Sequence, residues 1–350
     1  MAEPGDIIDV RPDEGFDISS LAAYLDTRIP GATGEPEVRQ FGGGHANLTY
    51  LLGYPEVDYV LRRPPLGPLA EGSHDMGREH RVLAELWRSF PQAPRSHIFC
   101  DDTSVIGVPF FVMERKDGDV VRKVVPERFG GGRDENVNRQ LSEAVIDTLA
   151  DFHAVDPRDA GLGELGHPDG FLRRQVDGWA RRWHLAKDQD VHLADALIEW
   201  LELKLPESPT PTLVHNDWRL DNMAVDPEDP STCVAVYDWD MCTQGDPLAD
   251  LGTLLSVWYD PGEIPADLNP MPTGVPGFMT RAEAISRYAD RTGTRPDAVD
   301  YYLVFGSFKM AVIVQQIYIR WLRGQTKDDR FRVMGEAARH LLTLAEQRRP

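Results

Sequence analysis

His215-Asn216-Asp217-Trp218-Arg219-Leu220-Asp221-Asn222 is the most informative run in this chain, preceded by the apolar pair Leu213-Val214 and followed sixteen residues after Asn222 by Asp238. An H-x-D-x4-N loop between two strands sets a carboxylate and a carboxamide on one side of a tight turn. Asp238 then arrives at the end of the next apolar run, 234–237. Three oxygen donors brought together suit a hard cation such as Mg2+, which binds through one or two carboxylates plus the phosphates of a substrate. Phosphoryl transfer uses the same set: one Asp orients the attacking hydroxyl and takes its proton, while the second Asp and the Asn hold metal. A lone Asp or Asn usually caps a turn, but capping does not explain all three at this spacing.

Upstream of this island, residues 37–114 hold short β-like runs (LTYLLG, DYVLRRP, PFFVMER) around one helical stretch, GREHRVLAELW, in which Val82, Leu83, Leu86 and Trp87 recur at helical spacing. This predicts a small sheet carrying one helix. Beyond the polar stretch 115–119 and the glycines 130–132, helical periodicity takes over. Leu141, Val145, Leu149 and Phe152 share one face, and Leu172, Val176, Trp179 and Trp183 another. Further helices are expected over 282–292, 297–323 and 331–347, with an irregular excursion over 258–278, which holds five prolines and three glycines. The expected class is α+β, two-lobed: a small β-rich lobe over 1–114 and a larger, mainly helical lobe over 115–350.

Composition narrows the function. The 350 residues carry 57 acidic against 37 basic side chains, a net charge of −20. A surface so acidic repels nucleic-acid backbones and anionic lipid, and no basic run offsets it, so neither nucleic acid nor membrane is an expected partner. No apolar stretch is expected to approach the ~18–20 residues of a membrane span. The start, MAEPGDIIDVRPDEG, is acidic where a signal peptide is basic, so a cytoplasmic protein is expected. Cys100, Cys233 and Cys242 form no CxxC pair and read as buried thiols. Oligomeric state is not legible.

Taken together, HNDWRLDN, YDWDMCTQGDPLADLG, the upstream FGGGHANLTYLL and VLRRP, and the helix bearing Glu79 resemble the aminoglycoside phosphotransferase and choline kinase group of kinase-like enzymes, over residues 41–323. VLRRPP and GDPLADLG stand closest to its subgroup attached to, or encoded near, acyl-CoA dehydrogenases. The resemblance implies a protein-kinase-like fold and an ATP- and Mg2+-dependent kinase acting on a hydroxyl of a small molecule. It implies Asp217 as catalytic base and Asn222 and Asp238 as Mg2+ ligands. His215 would brace the metal loop, and Asp246 and Asp250 would cap backbone N–H groups around it. Asp240 points the same way as Asp238 if the strand continues. The resemblance also places a phosphate-covering loop at Gly42, Gly43, Gly44, His45, Ala46 and Asn47, where backbone N–H groups approach phosphate oxygens. It makes Arg62 the phosphate-gripping cation, with Arg63 competing for that place and Glu79 as its helix partner, and lays adenine against Met113, Glu114 and Arg115. An arginine where lysine is usual keeps its charge but approaches phosphate differently.

Two features stay open at this level. Tyr302, Lys309, Gln316 and Arg320 recur at i, i+7, i+14 and i+18, which makes a polar stripe on one helix face: either a solvated face or the lining of the acceptor cleft. If the stripe lines the cleft, its cations favour an anionic or strongly polar acceptor over an aminoglycoside, and the resemblance to the subgroup linked to acyl-CoA dehydrogenases implies a hydroxylated acid or its thioester. Two other functions fit parts of the pattern: a nucleotide-binding pseudokinase or scaffold, suggested by Arg62, and a metal-dependent phosphoesterase using His215, Asp217, Asn222 and Asp238.

Overall fold

The computed structural model describes residues 7–42, 47–66, 75–188, 191–260, 262–263, 271–295, 297–326 and 329–350. They form two compact units. The first joins Met1–Val121 with Arg158–Gly163 and Leu220–Cys242, and the second comprises Arg122–Pro157, Glu164–Arg219 and Thr243–Pro350. The first unit is therefore discontinuous in sequence, where periodicity alone drew one break after Glu114.

In the first unit the chain runs β1 (Ile7–Ile8), α1 (Ile18–Leu25), β2 (Glu37–Phe41), β3 (Leu48–Gly53), β4 (Asp58–Arg63), α2 (Met76–Leu86), β5 (Ser96–Cys100), α3 (Thr103–Ile106) and β6 (Phe110–Glu114). The six strands make one antiparallel sheet in the order β1-β2-β3-β4-β6-β5. Alternation along β3 buries Leu48, Tyr50 and Leu52 with Leu61, Phe110 and Val112 on one face, where Leu21 and Leu25 of α1 close the core. Helix α2 starts where the Asp75 carboxylate accepts the Arg78 N–H, and it buries Val82, Leu83 and Leu86.

The second unit contributes α4 (Glu135–His153), α5 (Phe171–Ala186), α6 (His192–Leu203) and β7 (Thr212–Val214). The chain then supplies β8 (Met223–Val225) and β9 (Cys233–Val236), an antiparallel pair of the first unit. It ends in the second unit with β10 (Thr243–Gly245), which pairs antiparallel with β7, then α7 (Pro247–Ser256), α8 (Arg281–Thr292), α9 (Val299–Leu322) and α10 (Met334–Gln347). The expected class, α+β with a sheet followed by helices, is the one found. All three cysteines are buried and unbridged.

Helix α9 corrects one expectation. Its 24 residues are long and apolar enough to cross a membrane by length and composition, because its few polar residues are spread thinly among apolar ones. Within the second unit it is the central helix: α5, α6, α7 and α10 pack on it, and it is buried almost continuously from Tyr301 to Val312. Glycines set its approach to α7. A Cβ on Gly306 would lie 2.5 Å from the Gly252 carbonyl oxygen, and one on Gly252 would lie 2.5 Å from the Tyr302 carbonyl oxygen. Backbone atoms cannot swing aside as side chains do. Gly306→Ala is expected to force the helices apart and cost about 1–3 kcal/mol, read as a lower urea midpoint; an unchanged midpoint contradicts this packing.

Candidate active site

In the first unit the chemistry gathers around β4 and α2. Arg62 and Arg63 are neighbours on a strand, so they face opposite sides of the sheet. Arg63 Nη2 donates to the Glu14 carbonyl at 2.5 Å and to the Tyr50 hydroxyl at 2.9 Å, and its guanidinium lies over the Phe16 and Tyr50 rings. Arg63 is thus a core arginine, and Arg62 holds the other face. Its Nη1 meets Glu79 Oε1 at 2.5 Å and its Nη2 meets Asp238 Oδ1 at 3.0 Å. The strand arginine and helix glutamate named from sequence are brought together, with Asp238 as a third member.

The electrostatics of this cluster set burial against charge. Burial lowers the Arg62 proton affinity, but the Glu79, Asp238 and Asp240 carboxylates outweigh it and raise it above its usual value. Burial pushes the Glu79 carboxyl up to about 8; Arg62 opposes it, and the Asp238 and Asp240 charges add to it. Arg62 thus interacts with all three carboxylates. Arg62 Nε and Glu79 Oε2 are buried without a partner among the described residues.

Asn222 and Asp238 reach this cluster by register. Met223 pairs with Val236 and the Tyr237 N–H donates to the Asn222 carbonyl at 2.8 Å, so Asn222 faces the residue just before Asp238. Asp238 takes a left-handed backbone, φ 65°, which few residues other than Gly, Asn and Asp adopt. The strand stops at Val236, so Asp240 lies in a short 3-10 turn, Trp239–Met241, and not on an extended strand beside Asp238. Both Asn222 and Asp238 are half-buried.

The other nucleotide-side residues are distributed as follows. Gly43, Gly44, His45 and Ala46 lie outside the described residues; Gly42 accepts from Arg11 through its carbonyl, and Asn47 is buried. Met113 is buried in β6, opposite Val60. The Glu114 N–H donates to the Arg95 carbonyl and its side chain meets Lys116, while Arg115 pairs with Asp58 and Asp117. The Glu114 N–H is therefore already engaged.

In the second unit, Asp217 stands half-buried in a loop whose neighbours are all pinned. Trp218 is fully buried, stacked on Phe152 at 5.7 Å, with its indole N–H on the Val145 carbonyl. Asp250, near the start of α7, accepts the His215 N–H on Oδ2 at 2.5 Å and the Asn216 N–H on Oδ1 at 2.6 Å. Burial works to raise the Asp250 carboxyl, but hydrogen bonding and charge from His153, with His215 and its N–H, hold it below its usual range. His153 lies between Asp250, 3.4 Å away, and the Tyr288 hydroxyl at 2.7 Å. His215 is fully buried, and its Nδ1 accepts the Asp217 N–H at 3.2 Å, a brace inside the loop. Asn216 is the other non-glycine residue with positive φ, 68°, among the described residues. Both such residues sit in or beside the candidate chemistry, as stored strain commonly does.

The stripe on α9 divides. Tyr302 and Lys309 are 1% and 3% exposed, Gln316 is intermediate and Arg320 exposed. Tyr302 donates to Asp246 at 2.6 Å, the residue that also caps α7 through the Leu248 N–H. Lys309 donates to the Asn216 carbonyl. The four residues therefore form neither a solvated face nor one cleft lining: the first two are internal braces, because α9 is enclosed over that half. Sequence spacing missed Lys309 as a support of the Asp217 loop, and it missed His153 altogether; residues 93 and 97 positions from their partners leave no local signal.

The sequence model of the phosphotransferase enzyme family matches residues 37–270. Acyl-CoA dehydrogenase family member 11 of Mus musculus is 33% identical over 338 residues, covering 93% of this chain and 42% of that protein; this chain thus spans less than half of the relative's length. A Ralstonia eutropha structure assigned to the aminoglycoside phosphotransferases is 28% identical, with a TM-score of 0.81 over 95% of this chain and 98% of that one. A thermostable mutant of the aminoglycoside phosphotransferase APH(4)-Ia, solved with AMP-PNP and hygromycin B, shares the fold at a TM-score of 0.60 and 15% identity, covering 94% and 97% of the two chains. The kinase-like fold, the paired Arg62 and Glu79 and the pinned Asp217 loop agree with these similarities, and the chain belongs to the phosphotransferase enzyme family.

Proposed function

We propose that this chain is an ATP- and Mg2+-dependent phosphotransferase that phosphorylates a hydroxyl of a small molecule. The observation that carries the reading is the Arg62 cluster, where one guanidinium faces the carboxylates of Glu79, Asp238 and Asp240. Asn222 and Asp238 are half-buried and have the hard oxygens that Mg2+ takes. Among the described residues no three His, Cys, Asp or Glu side chains form a closed metal cage. Mg2+ needs none when substrate phosphates complete its shell.

In this reading Arg62, oriented by Glu79, grips the α- and β-phosphates. Asn222 and Asp238 would hold Mg2+, which when bound neutralises charge on the phosphate oxygens. Asp217 accepts the proton of the acceptor hydroxyl as its oxygen bonds to the γ-phosphorus; the bond from that phosphorus to the β-phosphate bridging oxygen breaks, and ADP leaves. Arginine suits the gripping place because its fork reaches Glu79 and Asp238 at once, which weakens the case for a pseudokinase. The phosphoesterase reading fares worse, since His215 is buried and braces the loop. The complex of APH(4)-Ia with AMP-PNP supports ATP as donor.

For the acceptor we propose a hydroxylated acid or its thioester. The polar stripe no longer supports this, because Lys309 is turned to the loop. Two other features do. A matched relative is named an acyl-CoA dehydrogenase family member. Arg182 of α5 is exposed, with its guanidinium over the Trp179 ring at 4.5 Å, a cation that an anionic acceptor would meet.

Asp217→Asn is expected to leave ATP affinity intact and lower acceptor-dependent ADP release by about 10²–10⁴-fold; retention of a tenth of the turnover contradicts the assignment. Calorimetry of ATP binding across a Mg2+ titration should show that Asp238→Ala loses most of the Mg2+ dependence, and an unchanged dependence moves the metal elsewhere. Among acceptors, hydroxylated acids or their thioesters should stimulate ADP release and kanamycin-type compounds should not exceed the water background. Arg182→Glu should raise the acceptor KM with the ATP KM unchanged. Robust aminoglycoside phosphorylation overturns the acceptor class.

A further inference from the structure

Lys309 is an expensive residue. It is 3% exposed on a mostly apolar stretch of α9. Burying a charge is costly, so such a group is retained where it has a specific contact to make. Its contacts are specific. Nζ donates to the carbonyl of Asn216, whose left-handed backbone turns the chain into Asp217. Nζ also stands 5.7 Å from the centre of the Trp179 ring, a favourable site for a cation. The charged groups acting on it are Asp217 on the loop, Asp250 on α7 and Arg182 on α5, with Asp250 held in turn by the His215 N–H and His153 of α4.

We infer that Lys309 is a positioning residue for phosphoryl transfer: by clamping the Asn216 carbonyl and placing a fixed positive charge beside Asp217, it keeps the base aimed and ionised. This rests on Asp217 being the base and adds the residue that sets its charge state. Burial lowers the affinity of Lys309 for its proton, and Arg182 adds to the effect, while the Asp217 and Asp250 charges oppose it. Coupling between two charges is mutual: an ammonium stabilised by Asp217 must in turn stabilise the Asp217 carboxylate against protonation. Removing the charge should therefore raise the affinity of Asp217 for a proton and move the acid limb of the base upward in pH. The clamp contributes separately, because it holds the backbone that aims the carboxylate.

The two contributions come apart with two variants. Lys309→Met removes charge and clamp; Lys309→Gln keeps a donor for the Asn216 carbonyl without charge. Carboxyl-13C aspartate NMR on the full chain reads the Asp217 titration directly, with Asp217→Asn identifying its signal. Both variants should raise its midpoint by about one unit, a tenfold change in proton affinity, and Lys309→Arg should return it toward wild type. In turnover, Lys309→Met should lower kcat with the ATP KM unchanged and move the acid limb of the kcat profile upward by the same amount. An Asp217 midpoint unmoved in folded Lys309→Gln or Lys309→Met, judged by the thermal midpoint, overturns the inference. If the midpoint moves but Asp217→Asn still turns over, the base assignment fails while the electrostatic link stands.

Discussion

The grip of one carboxylate on two backbone N–H groups underlies the Asp217 loop of the second unit. Asp250 takes the His215 and Asn216 N–H groups on its two oxygens, each a charge-assisted bond of the kind worth about 1.5–3 kcal/mol. With those amides fixed, Asn216 is held in its left-handed conformation and its carbonyl turns to Lys309. Trp218, packed on Phe152, closes the other side. The Asp217 side chain is left half-exposed at the end of a rigid path. Asp250 could not do this without His153, whose contact helps keep a buried carboxyl ionised.

Each unit holds a buried cation among carboxylates. In the first, Arg62 pairs with Glu79 and Asp238 and feels Asp240; in the second, Lys309 donates to a carbonyl and interacts with Asp217 and Asp250 through space. Buried charges are tolerated where they are paired and hydrogen-bonded, so the contacts around these two cations are specific ones.

Legibility in the sequence followed the range of the signal. The strands LTYLLG and DYVLRR and helices α2, α4, α5 and α8 announce themselves through local periodicity, and the structure has them. Strand β5 and helix α6 went unread because Ser96–Cys100 and His192–Leu203 are short and mix polar with apolar residues. Motif spacing gathered Asn222 and Asp238, which lie on one hairpin, and paired Arg62 with Glu79. The choice between Arg62 and Arg63 needed the sheet, since either alternation is consistent with the apolar pattern. What was misread involved distant partners: a polar residue every seven on α9 gives the same pattern for a cleft, a wet face or a brace, and only the position of Asn216 decides.

The central claim is that the γ-phosphoryl group passes to an organic hydroxyl. The most direct measurement is a single turnover with γ-labelled ATP, Mg2+ and a hydroxylated acid, followed by separation of organic phosphate from inorganic phosphate. The account predicts label in an acid-stable phosphate ester, one for each ADP formed, and none when the acceptor lacks its hydroxyl. Label found only in inorganic phosphate, at a rate indifferent to the hydroxylated acid, would contradict it.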